Sequence, residues 1–132
     1  MHINLLAVLV AAVINMALGA LWYSKALFAD QWVKATGKSI KQMQENAGPG
    51  YGITAVGSLV MALMLAYVLG WVGAATFIGG ATTGLIIWVG FVATTHAANY
   101  VFEGRSLNLY AINLGYFLVT LVLMGGLLAT WH

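Results

Sequence analysis

Hydrophobic residues form four long runs along this chain, and the polar positions fall mainly between them. The runs cover about residues 3–23, 51–72, 75–100 and 107–131, and each contains roughly 20 or more predominantly apolar residues. A run of this length crosses the hydrocarbon core of a bilayer as a helix, because a helix satisfies its backbone hydrogen bonds within one segment. The pattern therefore predicts an all-α integral membrane protein, a four-transmembrane-helix bundle formed by residues 1–132 as a single membrane domain.

The last three runs are joined by short connections. Residues 70–74 form a glycine-rich turn, and residues 102–106 form a short polar turn. Short connections place consecutive helices side by side, so helices two, three and four are predicted to be antiparallel neighbours.

The first connection, about residues 24–50, is longer and carries an apolar pattern of its own. Leu27, Phe28 and Trp32 recur at helical spacing, which predicts an interfacial amphipathic helix over about 26–36 that ends at Gly37. The alternative is a flexible loop that Trp32 alone anchors. The sequence Gly48-Pro49-Gly50 is predicted to break the chain before helix two.

Charge is scarce and one-sided. Hydrophobic residues make up 62% of the chain and charged residues 6%, and no cysteine is present, which excludes disulfides and thiolate metal sites. The five basic residues lie in the first and third connections: Lys25, Lys34, Lys38, Lys41 and Arg105. By the positive-inside rule these two loops are cytoplasmic and both termini lie outside the plasma (inner) membrane. Basic residues beside membrane spans are topology determinants and contacts for membrane lipids, so no nucleic-acid partner is expected.

Polar side chains inside the spans are the candidates for chemistry. His96, Asn99 and Glu103 share one face of helix three near its cytoplasmic end, with Arg105 as the charge partner of Glu103. We expect Asn15, Asn113 and Tyr116 to join them around one polar cavity. The alternative is that the amides and His96 bridge helices and that Glu103 and Arg105 form an ordinary loop salt bridge.

Aromatic and small residues have simpler interpretations. Five aromatic residues are predicted to anchor the cytoplasmic interface: Trp22, Tyr23, Trp32, Tyr100 and Tyr110. Asn15 with Gly19 and Gly80 with Gly84 are each one turn apart, which favours close helix packing. These faces also predict a parallel, symmetric homo-oligomer, with a dimer favoured.

No cofactor, metal site or catalytic residue is predicted. One histidine and one carboxylate on the same helix need further ligands to hold a metal, and the spans offer only amides. A nucleophile beside a general base is not visible either, which argues against an enzyme.

Two stretches resemble a known family. Gly19-Ala20-Leu21-Trp22-Tyr23-Ser24, and Phe102-Glu103-Gly104-Arg105-Ser106-Leu107 with Gly115-Tyr116, are similar to the small prokaryotic membrane family catalogued as domain of unknown function seventeen sixty-one. The resemblance extends over nearly the whole chain and implies a four-span membrane protein without supplying an activity. Lys25 stands where the family pattern usually has proline, so we expect Ser24 and Lys25 to continue helix one.

Three functional hypotheses are compatible with these patterns. The first is a homo-oligomeric protein that binds or passes a small solute, ion or lipid through the polar cavity. The second is a structural or accessory subunit of a larger membrane complex, and the third is a small membrane enzyme acting on a lipophilic substrate.

Overall fold

A computed structural model describes residues 3–45 and 47–131, and within them helices are joined by turns and no strand is present. The helices are α1 (Leu5–Trp22), α2 (Ala29–Thr36), α3 (Ile40–Glu45), α4 (Ala47–Val72), α5 (Phe77–Ile87), α6 (Thr94–Phe102) and α7 (Leu107–Thr130). A π-helical segment, Trp88–Ala93, joins α5 to α6 without a break. We call α5, the π segment and α6 together the third span.

Four helical segments are long and apolar enough to cross a membrane: α1, α4, the third span and α7. This confirms the predicted four-helix membrane bundle. The first and fourth spans begin at polar caps, since the side chain of Asn4 accepts from the N–H groups of Leu6 and Ala7, and that of Ser106 accepts from the N–H of Leu109. The third span ends at Gly104, whose φ of 69° lies in the left-handed region that favours glycine.

The expected break at Gly48-Pro49-Gly50 is wrong. Helix α4 begins at Ala47, four residues before the predicted start, and Pro49 lies in its first turn. Proline is tolerated there because the first N–H groups of a helix have no partner within the helix, and its fixed φ matches helical geometry.

The expectation that Ser24 and Lys25 continue the first helix is also wrong, since α1 ends at Trp22. The Ser24 hydroxyl donates to the carbonyl of Leu21 at 2.6 Å, and the N–H of Phe28 donates to the carbonyl of Trp22 at 3.1 Å. These bonds satisfy carbonyls that the helix end leaves free, so the chain turns at this point.

The first connection folds onto the bundle. Helix α2 begins at Ala29, three residues after the predicted start, and ends before Gly37 as predicted. Ala29 is buried, and Trp32 and Ala35 pack against a small core that includes Leu109 of α7. The predicted interfacial helix is therefore also a packing element that covers the beginning of α7.

Helix α7 is the central helix of the bundle. Half of its most apolar window is buried, against 11% in the third span. It contacts α1, α2, α4 and the third span. The main core combines residues of α1, α4 and α7: Ala7, Val8, Ala11, Ala12, Ala62, Leu65, Leu69, Leu121, Met124, Leu128 and Ala129.

Glycines bring α5 and α7 into backbone contact. A Cβ added to Gly80 would overlap the carbonyl oxygen of Gly125, and one added to Gly84 would overlap that of Leu121. Gly19 likewise faces the hydroxyl of Tyr116. The two small-residue faces that we expected to join two copies of the chain are thus used within one chain, so a dimer would have to form through another surface.

Candidate functional site

A polar cleft lies at the end of the bundle that carries the charged connections. Its volume is about 360 Å³. It is lined by Tyr23, His96, Asn99, Tyr100, Glu103, Arg105, Asn113 and Phe117. Five of the residues singled out from the sequence therefore line one cleft, namely His96, Asn99, Glu103, Arg105 and Asn113. The other two, Asn15 and Tyr116, do not line it.

His96 is held by the backbone of its own helix. Its Nδ1 lies 2.8 Å from the carbonyl oxygen of Val92, and its ring packs beside Phe117 with 5.9 Å between the ring centroids. A carbonyl oxygen only accepts hydrogen bonds, so Nδ1 is the protonated nitrogen. A ring that carries its single proton on Nδ1 has Nε2 as its acceptor, and His96 lines the cleft.

The π segment directly before His96 has an unusual set of hydrogen bonds. Four consecutive carbonyls, those of residues 90–93, each accept a bond from a side chain: Thr94 to Gly90, Thr95 to Phe91, His96 to Val92 and Tyr110 to Ala93. A π-helical turn displaces the regular bonding pattern, and polar backbone groups inside a bilayer need other partners. These side chains provide them, so the threonines and His96 support the local backbone that positions the cleft.

Asn113 joins three helices at the base of the cleft. The Tyr23 hydroxyl donates to Asn113 Oδ1 at 2.7 Å, and Asn113 Nδ2 donates to the Tyr100 hydroxyl at 2.7 Å. The amide is therefore fixed between the end of α1 and α6. The Tyr100 hydroxyl uses its oxygen to accept this bond and keeps its proton for another acceptor.

The two charged residues of the cleft neutralise each other at its rim. Arg105 Nε lies 2.7 Å from Glu103 Oε2, and both side chains are about half exposed. The Arg105 guanidinium also lies over the Tyr100 ring, 5.5 Å from its centroid. The rim consequently carries an ion pair with no net charge.

Asn99 is a polar residue of the cleft whose side-chain amide is free to form hydrogen bonds. Its side chain is exposed, and across residues 3–45 and 47–131 we find no hydrogen-bond partner for it. An amide offers two donor hydrogens and one acceptor oxygen. The groups available to a ligand are therefore the Asn99 amide, His96 Nε2 and the Tyr100 hydroxyl proton.

Asn15 and Tyr116 belong to a separate buried network deeper in the bundle. Tyr116 donates its hydroxyl to Asn15 Oδ1 at 2.5 Å, and Asn15 Nδ2 donates to Ser58 Oγ at 2.6 Å. The Tyr23 ring packs edge-on against Tyr116, which brings the network next to the cleft. Asn15 thus joins α1, α4 and α7 through side-chain hydrogen bonds.

Sequence reasoning missed Ser58. Nothing in the sequence marks it, since a lone serine is common in an apolar span, and only its hydrogen bond to Asn15 identifies it.

The aromatic residues predicted as interface anchors mostly turn inward. Trp22 Nε1 donates to the Ile112 carbonyl at 2.8 Å, and the hydroxyls of Tyr23, Tyr100 and Tyr110 bond inside the bundle. Trp32 packs against the small core beside α7. Their polar atoms therefore stabilise helix contacts at this end of the bundle, and their role as anchors at the membrane interface stays a prediction.

A metal centre finds no support in the described part of the chain. No group of three or more histidine, cysteine, aspartate or glutamate side chains comes together there. His96 and Glu103 share the cleft, but Glu103 is engaged by Arg105.

Comparison with known proteins identifies one family. The profile of a family described as "Protein of unknown function (DUF1761)" matches residues 6–129. No curated protein and no solved structure matches the chain significantly. The family match extends from the first turn of α1 to the last turn of α7, and it includes the first and third connections and the two stretches that suggested the resemblance. This multi-pass membrane protein therefore belongs to the DUF1761 family.

Proposed function

We propose that this protein binds a small polar solute, uncharged or zwitterionic, in the polar cleft at the cytoplasmic side of the membrane. The observation that carries the proposal is a set of cleft-lining residues with hydrogen-bonding atoms that have no partner in residues 3–45 and 47–131. The Asn99 amide and His96 Nε2 are both available in a cavity of about 360 Å³. This volume lies within the range of roughly 300 to 1,000 Å³ that is typical of small-molecule sites.

The charge of the cleft argues for the class of solute. Glu103 and Arg105 pair with each other, so the cleft has no unpaired charge that would attract an ion of one sign. An uncharged or zwitterionic solute can exchange hydrogen bonds with the amide and imidazole without leaving a buried charge unpaired. This favours a polar solute over a simple ion.

The opposite half of the bundle argues for binding rather than passage through one chain. There the third span and α7 are in backbone contact at Gly80 and Gly84. A solute in the cleft would meet this contact before reaching the other side. Passage would require the third span to move against α7, or the assembly of several chains. A symmetric dimer remains our prediction for the assembly, to be tested by the stoichiometry of the purified protein.

The cytoplasmic location of the cleft is part of the proposal. All five basic residues lie in the two connections at this end, and the positive-inside rule places them in the cytoplasm. A reporter fused to the C-terminus should therefore be active outside the cytoplasm. Cytoplasmic activity of that reporter would reverse the orientation of the cleft.

The binding proposal is tested on protein purified in a mild detergent. Small molecules released on denaturation are identified by mass spectrometry for the natural chain, for Asn99→Leu and for Asn108→Leu. Asn108 is a matched control because it is also exposed near the same end but does not line the cleft.

We expect a polar solute to be released from the natural chain and from Asn108→Leu, and to be at least tenfold depleted in Asn99→Leu. Equal release from all three proteins would refute binding in the cleft. If no solute is released from any of them, the role of accessory subunit in a larger membrane complex becomes the better hypothesis.

A further inference from the structure

A second cavity, the lysine groove, lies between α1, the first connection and the start of α4. Its volume is about 610 Å³, larger than that of the polar cleft. The lining residues are Met16, Gly19, Ala20, Tyr23, Ser24, Lys25, Ala29, Trp32, Gln44, Gly50, Tyr51, Thr54 and Tyr116. The function proposed above does not use this groove.

The chemistry of the groove changes with depth. The α1 part of the lining, which includes Met16, Gly19 and Ala20, is apolar and lies within the first span. Lys25 follows the end of α1 and lies where the bundle meets the interface, and it is the one charged residue among those that line the groove. From Met16 to Tyr23 the groove follows α1 for roughly 10 Å, at 1.5 Å per residue.

A groove that is apolar along α1 and has a single cation in its lining matches the shape and charge of one class of molecule. We propose that the lysine groove binds an anionic phospholipid, with an acyl chain along α1 and the phosphate at Lys25. A basic pocket beside membrane helices on the cytoplasmic side is a site that suits an acidic headgroup. The absence of a carboxylate from the groove lining leaves the positive charge of Lys25 available to the phosphate.

The surrounding charges favour the same occupant. The segment from Lys25 to Glu45 contains four lysines and two acidic residues, so its net charge is 4 − 2 = +2. Basic segments next to the cytoplasmic leaflet are attracted to its anionic lipids. A second copy of the chain would offer no matching feature, since its own first connection has the same positive charge.

The lysine groove and the polar cleft are separate cavities that share one lining residue. Tyr23 lines both cavities, and its hydroxyl bonds to Asn113 at the base of the cleft. The two sites can still be tested separately, because Lys25 and Ala20 line only the groove, whereas Asn99 lines only the cleft.

The charge of the site is tested by native mass spectrometry of the full chain in detergent. Phosphatidylglycerol and phosphatidylcholine with identical acyl chains are added to the natural chain, to Lys25→Gln and to Lys38→Gln. Lys38→Gln removes the same charge from the same connection but outside the groove lining. We expect the natural chain and Lys38→Gln to retain phosphatidylglycerol in preference to phosphatidylcholine. In Lys25→Gln the ratio of retained phosphatidylglycerol to phosphatidylcholine should be about fivefold lower. Equal losses in both variants would overturn the site at Lys25.

The acyl-chain part of the site is tested by filling the groove. Ala20→Phe places a ring in it, while Ala17→Phe makes the same change at another exposed position of α1 that does not line the groove. We expect Ala20→Phe to reduce retention of both lipids at least fivefold and Ala17→Phe to leave it unchanged, with matching melting temperatures for the two variants. Unchanged lipid retention in Ala20→Phe, or a change of oligomeric state in place of lipid loss, would overturn the proposal.

Discussion

The two ends of the contact between the third span and α7 are built in opposite ways. At one end, which we call the glycine end, Gly80 and Gly84 touch the backbone of α7 at Gly125 and Leu121. At the other, the cleft end, the helices are joined by side-chain hydrogen bonds to backbone, such as that of Tyr110 to the Ala93 carbonyl at 2.9 Å. The first end is closed and the second contains the polar cleft.

The change from closed to open follows from three residues on one face of the third span. Gly80, Gly84 and Trp88 lie at positions i, i+4 and i+8, so they succeed each other along the contact with α7. Trp88 packs beside the core and donates its Nε1–H to the Leu114 carbonyl at 2.8 Å. Where glycine gives way to tryptophan, the helices can no longer touch through their backbones. The π segment begins at this residue, and the cleft opens beyond it.

The difference teaches that the two ends serve different purposes. Backbone contact at the glycines tolerates no added atom and fixes the helices by van der Waals packing. Hydrogen bonds at the other end keep the helices together while leaving space and free polar groups between them. The free energy of unfolding should therefore be most sensitive to substitution at the glycine end, and ligand binding to substitution at the cleft end.

The largest effect is expected for Gly80→Ala. The new methyl group would overlap the Gly125 carbonyl, so α5 and α7 would have to separate, at a cost of about 3 kcal/mol or more in the free energy of unfolding. Gly57→Ala is the control, because a Cβ at Gly57 meets nothing within 4 Å and alanine favours the helix by up to about 1 kcal/mol. Both are compared by unfolding in mixed micelles. Similar free energies of unfolding for the two variants would contradict the backbone contact between α5 and α7 at Gly80.

The second prediction concerns the network between the two ends. Asn15→Leu keeps the volume of the side chain but removes its side-chain bonds to Ser58 and Tyr116, while the carbonyl of residue 15 can still accept from the Tyr116 hydroxyl. We expect a loss of about 1 to 2 kcal/mol in the free energy of unfolding, since hydrogen bonds between membrane helices contribute modestly and Ser58 is left buried without this partner. Asn108→Leu, at an exposed position, should change it by less than about 0.5 kcal/mol. Equal effects would mean that Asn15 does not bridge the helices.

The sequence predicts where the four spans lie but not how each helix is rotated about its own axis. The four spans follow from length and hydropathy, which need no knowledge of neighbours. Which face of a span points inward does not follow, because residues of these spans are apolar on all sides and show no amphipathic stripe. Gly80 and Gly84 were therefore read as a surface for a second copy, although they contact α7.

The same limit explains which parts of the candidate site were found. His96, Asn99 and Glu103 share one helix face and lie close to the connection that holds Arg105, so local spacing was sufficient to group them. The bond between Tyr23 and Asn113 joins residues 90 positions apart. It depends on the packing of α1 against α7, which the sequence pattern does not specify.

The third prediction tests the point at which the contact opens. Trp88→Phe keeps an aromatic ring but removes the bond to the Leu114 carbonyl, and we expect a loss of about 1 kcal/mol in the free energy of unfolding. The control is Trp71→Phe, because Trp71 is exposed and its contact in the described chain is the ring of Tyr67. A smaller effect for Trp88 than for Trp71 would show that the indole does not hold the helices at this point.

The smallest effect on stability is expected for Glu103→Gln. Its ion pair with Arg105 is about half exposed, and such pairs contribute about 0.5 kcal/mol or less after solvent screening. Added salt should reduce even this difference between the variant and the natural chain. The effect on the cleft should be larger, because Arg105 loses its partner and the rim gains a net positive charge.

We therefore expect Glu103→Gln to bind small anions that the natural chain does not bind, as measured by calorimetry with chloride and acetate at low ionic strength. Arg105→Gln, which leaves Glu103 unpaired instead, should bind neither anion. Stability and ligand preference would then change independently at the cleft end. Anion binding by neither variant, or by both, would show that the ion pair does not set the charge of the cleft.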